Sequence, residues 1–577
     1  MERLRTKKKL IVLMCITAFM LGCSDSVYNQ SVNEKHNVGL NHSELDPYVI
    51  KTINTDINNA PPAAGGKNYY VCDNGDDGNS GTSEFSPFKT VTRGLIEFNR
   101  MSAGTSVLFC RGAEFEVSTA TRLYNKNCNT ESLCTIGSYG AGDRPVINAR
   151  GLGSYAVFNF QDGGAPSKDG GYVLEDLMLL SDGTSAYGVT LWNDVDDVMI
   201  RNLHIQGFEV AVSSGTSNPI ASSDVNGIND RITLKNSVIR GNSRQGLLLT
   251  CNDCLVEGNT FINNGFSEAK FNHNIYLSST NNITIRGNYL YQSAIVNGKC
   301  EGVSLVGHGH MTNVLIENNV IEEDSGAVGG GCWGIAIDAG YNYEESFIGL
   351  VIRNNKIINV GGQAIGCSSC VDVVIEGNTI YDSAGTLWSG GIVVPNRKED
   401  ILKSSNVIIS GNEILSSGGG SSGIVIGGES VFTVVNNIIQ LPFNAYVDCV
   451  ARKEANINTN VSSNECSKGS PLPSLDSVKG INVEPTPART RTRTPADSNL
   501  SGSAPKSSAP KSSGSRRSGS RRSSSSETSS SETSSSETSS AETENVAGSK
   551  VMKVVQKKGT YRRKCRATSS DGRCLMN

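Results

Sequence analysis

The sequence predicts an all-β protein in which short strands stack into a solenoid, and three observations lead to this fold class. A short motif of aliphatic residues and asparagine recurs along the chain, and apolar strand-like runs precede many of its copies. Glycine is abundant, with 62 of the 577 residues, while charged residues make up only 19%, below the usual quarter. This composition suits many short strands that are joined by turns.

The recurring motif reads aliphatic, two residues, asparagine or an apolar residue, one residue, aliphatic, as in "IRGNYL", "IENNVI", "IRNNKI" and "IEGNTI". Its fourth position falls at residues 177, 203, 237, 259, 288, 319, 355, 378, 412 and 437. Such spacing marks a stacked β architecture, because one coil cannot bury its aliphatic side chains and stacked coils share a continuous core. We expect the asparagines to lie at bends between strands and to bond the asparagine of the next coil, which is a structural role.

A second strand precedes the motif in runs such as "HNIYLS", "EGVSLV" and "WGIAID", and a loop of variable length joins the two. This unit of two strands and a loop, repeated about ten times, resembles the right-handed parallel β-helix of pectate-lyase-like proteins. The resemblance implies a right-handed parallel β-helix solenoid over residues 67–470, with an N-terminal cap and a disordered C-terminal tail. It does not specify an activity, because one fold hosts many functions.

The entry segment "YYVCDNGDDGNSGTSEFSPFKTVTRGL" resembles the opening strand and turn of secreted β-helix enzymes that act on polysaccharides. We expect "TVTRGLIEFNRM" to form a helix that caps the open end of the solenoid. The acidic turn suggests a calcium site through Asp73, Asp76, Asp77 and Asn79, although the spacing is not that of an EF-hand. The favoured alternative is an acidic turn without a metal.

The N-terminal residues read as an export signal, because basic residues precede the apolar run "LIVLMCITAFMLG", which is short for a membrane span. We expect a signal peptide over residues 1–22 and a linker over residues 23–66. The run ends in "MLGC", which resembles the bacterial lipoprotein box and implies lipidation of Cys23 and a membrane anchor. The alternative is a plain secretory signal with a chance cysteine. The expected location is the cell envelope, lipid-anchored at the outer membrane or cell surface, or the secreted fraction.

The repeat stops near residue 470, and the composition changes. Residues 471–549 are rich in Pro, Ser, Thr and Arg and cannot bury a core, so we expect a low-complexity disordered tail. Residues 550–577 form a basic segment that contains two cysteines. The formal net charge of −4 is too small to indicate nucleic acid. The resemblance to secreted β-helix enzymes implies a polysaccharide as the partner, and the expected state is a monomer.

The sixteen cysteines suit an exported protein. Pairs that are close in sequence predict short disulfide loops: Cys128/Cys134, Cys251/Cys254, Cys367/Cys370, Cys449/Cys466 and Cys565/Cys574. The "CNDC" and "CSSC" pairs also fit a four-thiolate zinc site, but an oxidising compartment favours disulfides.

The candidate site lies on three consecutive coils between residues 273 and 345, where unusual side chains collect. Loops that follow equivalent strands stack along one flank of a solenoid, so these side chains are expected to converge. The predicted catalytic residues are His273, Tyr276, His308, His310 and Asp338. The predicted substrate-binding residues are Lys299, Glu301, Trp333, Tyr341, Tyr343 and Arg353.

This set suits a lyase or an epimerase of uronate-containing glycans, in which His and Tyr serve as base and acid and a cation offsets the carboxylate. A hydrolase would use Asp338 with Glu301 or Glu344 as its two carboxylates. A metal held by the His-x-His pair and Asp338 is a further alternative, but no metal or other cofactor is assigned beyond calcium at the acidic turn. The rival function is a non-catalytic, adhesin-like surface lipoprotein that binds carbohydrate.

Overall fold

The computed structural model describes residues 67–161, 170–215, 228–339, 344–397, 400, 402–427, 431–453 and 459–480. The predicted signal peptide, linker and Cys23 lie outside these ranges, as do Tyr341, Tyr343, Cys565 and Cys574 and the tail beyond residue 480. The two helices in the described ranges are α1, Val91–Phe98, and α2, Leu475–Lys479.

The described ranges contain 45 strands, numbered in chain order. The first fifteen are β1 Asn68–Val71, β2 Ser106–Cys110, β3 Glu114–Val117, β4 Arg122–Leu123, β5 Cys134–Tyr139, β6 Val146–Ala149, β7 Gly153–Gln161, β8 Gly170–Glu175, β9 Met178–Ser181, β10 Ser185–Trp192, β11 Asp196–Arg201, β12 His204–Gln206, β13 Val210–Gly215, β14 Asn229–Asp230 and β15 Thr233–Lys235. The next fifteen are β16 Val238–Arg240, β17 Leu247–Leu249, β18 Cys251–Asn252, β19 Leu255–Glu257, β20 Thr260–Ile262, β21 Ile275–Ser278, β22 Thr284–Arg286, β23 Tyr289–Tyr291, β24 Ile295–Val296, β25 Lys299–Cys300, β26 Leu305–His308, β27 His310–Thr312, β28 Leu315–Glu317, β29 Val320–Glu322 and β30 Ile335–Ile337. The last fifteen are β31 Ser346–Ile348, β32 Val351–Arg353, β33 Lys356–Ile358, β34 Gln363–Cys367, β35 Cys370–Glu376, β36 Thr379–Asp382, β37 Gly390–Val394, β38 Ser405–Ser410, β39 Glu413–Ser416, β40 Ile424–Ile426, β41 Phe432–Val435, β42 Ile438–Leu441, β43 Val450–Arg452, β44 Thr459–Ser462 and β45 Glu465–Lys468.

Most of the described strands belong to three parallel sheets, which we name A, B and C. Sheet A has 16 strands, with the main order β1-β2-β5-β8-β11-β15-β19-β22-β28-β32-β35-β38-β41-β44 and with β27 and β31 at its side. Sheet B has 13 strands in the order β3-β6-β9-β12-β16-β20-β23-β29-β33-β36-β39-β42-β45. Sheet C has 12 strands in the order β4-β7-β10-β13-β17-β21-β26-β30-β34-β37-β40-β43. The chain is therefore a right-handed parallel β-helix, as predicted.

Each coil passes through sheets C, A and B in turn, as β21, β22 and β23 do. The sequence predicted two strands in each unit, whereas the structure has three, because the motif itself contains a bend. In "IRGNYL", Ile285 lies in sheet A, Leu290 lies in sheet B, and Asn288 lies between them. The motif thus marks a corner of each coil.

Buried asparagines at this corner form the predicted ladder. The side-chain amide of Asn288 donates to Oδ1 of Asn319 at 2.9 Å, and Asn319 donates in the same way to Asn355 at 3.0 Å. The left-handed backbone conformation lies one residue before each ladder asparagine, as at Asn318, whose φ is 55°. The ladder asparagines therefore satisfy buried polar groups, while their predecessors make the turn.

Aliphatic side chains from all three sheets form one buried core, and α1 covers its N-terminal end. The helix buries Val91, Leu95 and Phe98. Gly94 lies so close to sheet A that a Cβ atom there would come within 2.8 Å of Val71 Cγ2. A glycine at this position lets the predicted capping helix approach the first coil.

The acidic turn before α1 is built from hydrogen bonds within the chain. The carboxylate of Asp77 accepts the backbone N–H groups of Lys89 and Thr90 at 2.9 and 2.8 Å. Asp76 accepts from Gly78 N at 2.7 Å, and Asn79 donates to the carbonyl of Pro87. These contacts favour the acidic-turn interpretation over the calcium site.

A short segment after the last strand packs on the outer face of sheet B. Leu472, Leu475 and Val478 lie against a small apolar cluster of Ile358, Tyr381 and Leu415. The ammonium of Lys479 lies 2.6 Å from Oε1 of Glu322.

No helix in the described part of the chain has the length and apolar character needed to cross a membrane.

Six disulfide bonds lie within the described ranges. Four are predicted short loops, namely Cys128–Cys134, Cys251–Cys254, Cys367–Cys370 and Cys449–Cys466. The other two, Cys72–Cys110 and Cys300–Cys332, join segments of neighbouring coils and were not predicted. Because "CNDC" and "CSSC" are each bonded internally, their sulfurs do not form the alternative zinc site.

Candidate functional site

Three predicted residues form a row of aromatic rings on the outer face of sheet C. The ring of Tyr276 lies between two imidazoles, with centroid distances of 5.8 Å to His273 and 5.6 Å to His308. Tyr276 projects outward from β21, and the parallel register places Ser278 opposite His308 on β26. The two neighbouring coils thereby bring His273 and His308 together, although more than thirty residues separate them in the sequence.

A buried carboxylate holds the His308 ring. Nδ1 of His308 lies 3.2 Å from Oε1 of Glu345, whose side chain has no exposed surface. The backbone N–H of Gly309 donates to the same oxygen at 2.8 Å. A carboxylate accepts hydrogen bonds, so this contact favours the tautomer of His308 with its proton on Nδ1. We refer to His273, Tyr276, His308 and Glu345 as the sheet C cluster.

His273 has a supporting position in this cluster. Its side chain is buried, and Nδ1 lies 3.0 Å from the carbonyl oxygen of Val303. Burial and, to a smaller extent, the nearby His308 lower the pKa of His273 to about 3. The ring is therefore neutral at ordinary pH and forms a fixed wall beside Tyr276.

Asp338 lies at the end of the next strand, in an ion pair that the sequence did not reveal. Gly307 pairs with Ile337, so Asp338 follows at the register position next to His308. Its carboxylate accepts from Ser368 Oγ at 2.5 Å and forms an ion pair with Arg397.

Arg397 is further tied to its surroundings by Asp400, at 3.2 Å, and by the carbonyl oxygen of Ala339, at 2.7 Å. Although burial alone would lower it, the pKa of Arg397 is raised by the carboxylates of Asp338 and Asp400. The guanidinium stays charged, and about 38% of its side chain is exposed. In the sequence, Arg397 stands in "PNRKED", a mixed charge run that resembles a solvated loop. The only signal for it is that this loop follows a strand equivalent to those before His308 and Asp338.

His310 lies apart from the cluster despite its spacing from His308. Gly309 turns the chain, with φ at 84°, so His308 ends a strand of sheet C and His310 begins a strand beside sheet A. A Cβ atom at Gly309 would lie 2.3 Å from Ser279 Oγ, which explains the glycine. The Nδ1 atom of His310 lies 2.8 Å from Ser346 Oγ.

Among the described residues, His308 and His310 do not belong to a group of side chains that could share a metal ion. Among the residues that the structure describes, two groups of His, Cys, Asp or Glu lie close enough to share an ion: Cys72, Asp73 and Cys110, and Cys300, Glu323 and Cys332. Both groups contain a disulfide, whose sulfurs are not thiolate ligands.

The remaining predicted binding residues lie elsewhere. Lys299, Glu301 and Trp333 are in loops that enter sheet C, at the opposite ends of its strands from His308 and Asp338. Arg353 lies in sheet A and pairs with Glu317 at 2.8 Å. The structure therefore brings together His273, Tyr276 and His308, and it separates the pair Asp338 and Glu301 that a hydrolase would need.

The other predicted partner of Asp338 in a hydrolase, Glu344, is exposed, whereas the adjacent Glu345 is buried against His308. The sequence identified the loop but not which of its two glutamates turns inward.

No family model matches the chain. A lacto-N-biosidase of Bifidobacterium longum subsp. longum is 30% identical over 150 residues, which is 25% of this chain and 8% of that protein. The chain therefore matches only a small part of the length of this curated relative.

Solved structures with a similar fold include the lacto-N-biosidase of Eubacterium ramulus, which is 14% identical, with a TM-score of 0.39, over 70% of this chain and 68% of that one. An alginate lyase of a Paenibacillus species is 13% identical, with a TM-score of 0.35, over 66% of this chain and 96% of that one. A mannuronan C-5 epimerase module and a surface adhesin are also among the similar structures. At identities this low, the likeness extends to the fold alone.

Proposed function

We propose that the protein acts on polysaccharides that contain uronic acids, by removing the proton beside the uronate carboxylate at the sheet C cluster. The observation that carries this proposal is the position of His308, which contacts the buried carboxylate of Glu345 and the ring of Tyr276. A histidine oriented by a carboxylate and placed beside a phenol supplies a base and an acid within one site.

His308 is the proposed base and takes the proton from C5 of the uronate. In a lyase, the electron pair forms a double bond between C4 and C5, the bond from C4 to its oxygen breaks, and Tyr276 protonates that oxygen. In an epimerase, Tyr276 instead returns a proton to C5 from the other face. Both reactions use the same residues, so the proposal covers either outcome.

Two further groups support this chemistry without taking part in the proton transfer. Glu345 holds the ring of His308 in one orientation and one tautomer. Arg397 places a permanent positive charge at the same end of sheet C, where it can pair with the uronate carboxylate. It replaces Lys299 and Arg353, which lie away from the cluster, as the proposed charge partner.

The test is an activity screen of the protein with alginate, pectate and glycosaminoglycans. Elimination gives unsaturated products that absorb at 235 nm, and epimerisation changes the ratio of uronate epimers in proton NMR spectra. We expect one of these signals in the wild type, its loss in His308→Ala, and its retention in His310→Ala, which serves as the matched histidine control. A wild type that gives neither signal with any of these polymers contradicts the proposal.

Glycoside hydrolysis is a second candidate, favoured by the local sequence similarity to a lacto-N-biosidase. Asp338 and Glu345 are two carboxylates at this end of sheet C, and hydrolysis through this pair would require that both act on the glycosidic bond. Release of reducing ends without absorbance at 235 nm would identify this reaction. Binding without any product would identify the adhesin-like alternative.

We also propose export and lipid attachment at Cys23. The six disulfides support an oxidising compartment outside the cytoplasm. Expression of the full chain and of Cys23→Ser, followed by membrane fractionation, tests the anchor. We expect the wild type in the membrane fraction and the variant in the soluble fraction, and equal distribution of the two would contradict the anchor.

A further inference from the structure

From β21 onward, aromatic side chains occur on every second loop that enters sheet C from sheet B. The loops before β21, β30, β37 and β43 carry Phe266 and Phe271, Trp333, Trp388, and Phe443 and Tyr446, respectively. The loops before the intervening strands β26, β34 and β40 carry none. Trp388 is 63% exposed, Phe443 87% and Tyr446 83%. None of these three residues belongs to the sheet C cluster, in which His308 and Glu345 lie at the other end of the strands.

The two tryptophans of this edge meet at one backbone carbonyl. The indole N–H groups of Trp333 and Trp388 both donate to the oxygen of Gly330, each at 3.2 Å. Trp388 precedes a strand two coils beyond that of Trp333, so its side chain reaches back over the short loop between them. The loop allows this approach because Gly362 has no side chain, and a Cβ atom there would lie 2.1 Å from Trp333 Nε1.

This contact determines what Trp388 offers to a ligand. An indole has a single N–H donor, and here the chain itself accepts that hydrogen bond. The exposed part is therefore a ring that is held in a fixed orientation and presents an apolar face. Because the ring is already fixed, little side-chain entropy is lost when a ligand binds. Such a face fits the C–H face of a sugar ring.

A polar group lies beside the turn whose carbonyl oxygen the two indoles share. The carboxylate of Glu301 packs against the turn that contains Gly330, since a Cβ atom at Gly329 would lie 2.4 Å from Oε1 of Glu301. A carboxylate at this position can accept hydrogen bonds from sugar hydroxyls at the margin of the apolar face. A flat apolar ring bonded to a turn that also carries a carboxylate acceptor is a combination suited to a carbohydrate rather than to an apolar partner.

We propose that these loops form an extended polysaccharide-binding strip, with Trp388 as its central contact and Trp333, Phe443 and Tyr446 as its other members. Neighbouring coils are about 4.8 Å apart, so aromatic loops on every second coil recur at roughly 10 Å. That spacing is close to the length of two linked sugar rings. Trp333 and Trp388, whose indoles share one acceptor, would form one contact of the strip, and Phe443 with Tyr446 would form the next contact along the solenoid. The inference rests on the proposed action on glycans and adds a polymer-binding site separate from the sheet C cluster.

The test is affinity electrophoresis of the folded protein in native gels that contain alginate, pectate or xylan. We expect at least one polymer to retard the wild type and Trp388→Ala to weaken binding of that polymer roughly tenfold. Trp388→Phe keeps a ring and should recover most of the affinity. Phe85→Ala removes an aromatic side chain that is 95% exposed in the turn before α1, and it should bind as the wild type does.

His308→Ala separates this inference from the proposed function, because it should lose product formation and keep polymer binding. Retardation of Trp388→Ala equal to that of the wild type would overturn the strip and leave the proposed function standing. A wild type that forms product but is not retarded by any polymer would also overturn the strip alone. A wild type that neither binds nor changes any glycan would overturn both.

Discussion

The Nδ1 atom of His308 lies 3.2 Å from Oε1 of Glu345, and the Glu345 side chain is fully buried. The same oxygen accepts the backbone N–H of Gly309, the residue that turns the chain from sheet C toward sheet A. One carboxylate therefore fixes both the turn and the imidazole. This relationship distinguishes His308 from His310, which bonds to Ser346 at the start of β31.

Glu345→Gln should reduce activity more than stability. The amide oxygen can still accept the N–H of Gly309, but the charge that orients the imidazole is lost. We expect the initial rate of product formation to fall at least about tenfold, as for other partners that orient a functional histidine. Thermal unfolding of the variant should stay close to that of the wild type. An unchanged rate would show that Glu345 has only a structural role.

His273 should make the protein sensitive to acid. Its pKa is lowered to about 3 by burial, while an unfolded chain has a histidine pKa near 6.5. The unfolded state therefore binds more protons between these values, and the contribution of His273 to stability is lost as pH falls from about 6.5 toward 3.

The loss from His273 should be on the order of 3 kcal/mol between pH 6.5 and 4. Urea unfolding of the wild type and of His273→Gln at these two pH values measures it. The variant should lose less stability over this interval. Equal losses in the two proteins would contradict the neutral, buried state of His273.

Glu323 should have the opposite pH dependence. Burial raises the pKa of its carboxyl well above the usual value, and Oε2 is buried without a hydrogen-bond partner among the described residues. The folded state then holds a proton that the unfolded state releases above about pH 4.3, so stability falls as pH rises.

Glu323→Gln keeps an acceptor for the N–H of Ser293, which donates to Oε1 at 2.8 Å. We expect the variant to match the wild type in urea unfolding at pH 4 and to be more stable than it at pH 8. Identical pH dependence of the two proteins would show that Glu323 is not protonated in the folded state.

The asparagine ladder should be a major source of stability. Asn355 is fully buried, donates to Oδ1 of Asn378 at 3.0 Å, and accepts from Asn319 at 3.0 Å. Asn355→Leu leaves both neighbours without their partner, so it should lower the free energy of unfolding by about 3 kcal/mol. The exposed Asn444 provides the control, since Asn444→Ala should change stability little. A loss of similar size in both variants would contradict the ladder argument.

The solenoid could be predicted because its signal is periodic. The alternation of aliphatic residues and the recurring asparagine at the corner of each coil repeat along the chain, so errors in one copy do not hide the pattern. The sequence did not show that the motif spans two strands. The chain bends between Ile285 and Leu290, but the inward-facing residues before and after the bend are both aliphatic, so the pattern reads as one strand.

The site could be predicted only in part. Tyr276 and His308 were accessible to sequence reasoning because they occupy neighbouring coils. The separation of His308 from His310 depends on the turn at Gly309, and residue spacing alone cannot show on which side of a corner a side chain lies.

The roles of Glu345 and Arg397 depend on partners that are 37 and 59 residues away, respectively. Only the folded coils bring these groups together, so neither residue could be assigned from its local sequence.

In the proposed reaction, His308 removes the proton at C5 of a uronate. The most direct measurement is deuterium incorporation at this carbon during reaction in D₂O, followed by mass spectrometry and NMR of polymer and products. An epimerase or a reversible lyase step places deuterium at C5 in the wild type, and we expect this deuterium to be lost in His308→Ala and retained in His310→Ala. Incorporation by His308→Ala at the wild-type rate would contradict this role of His308.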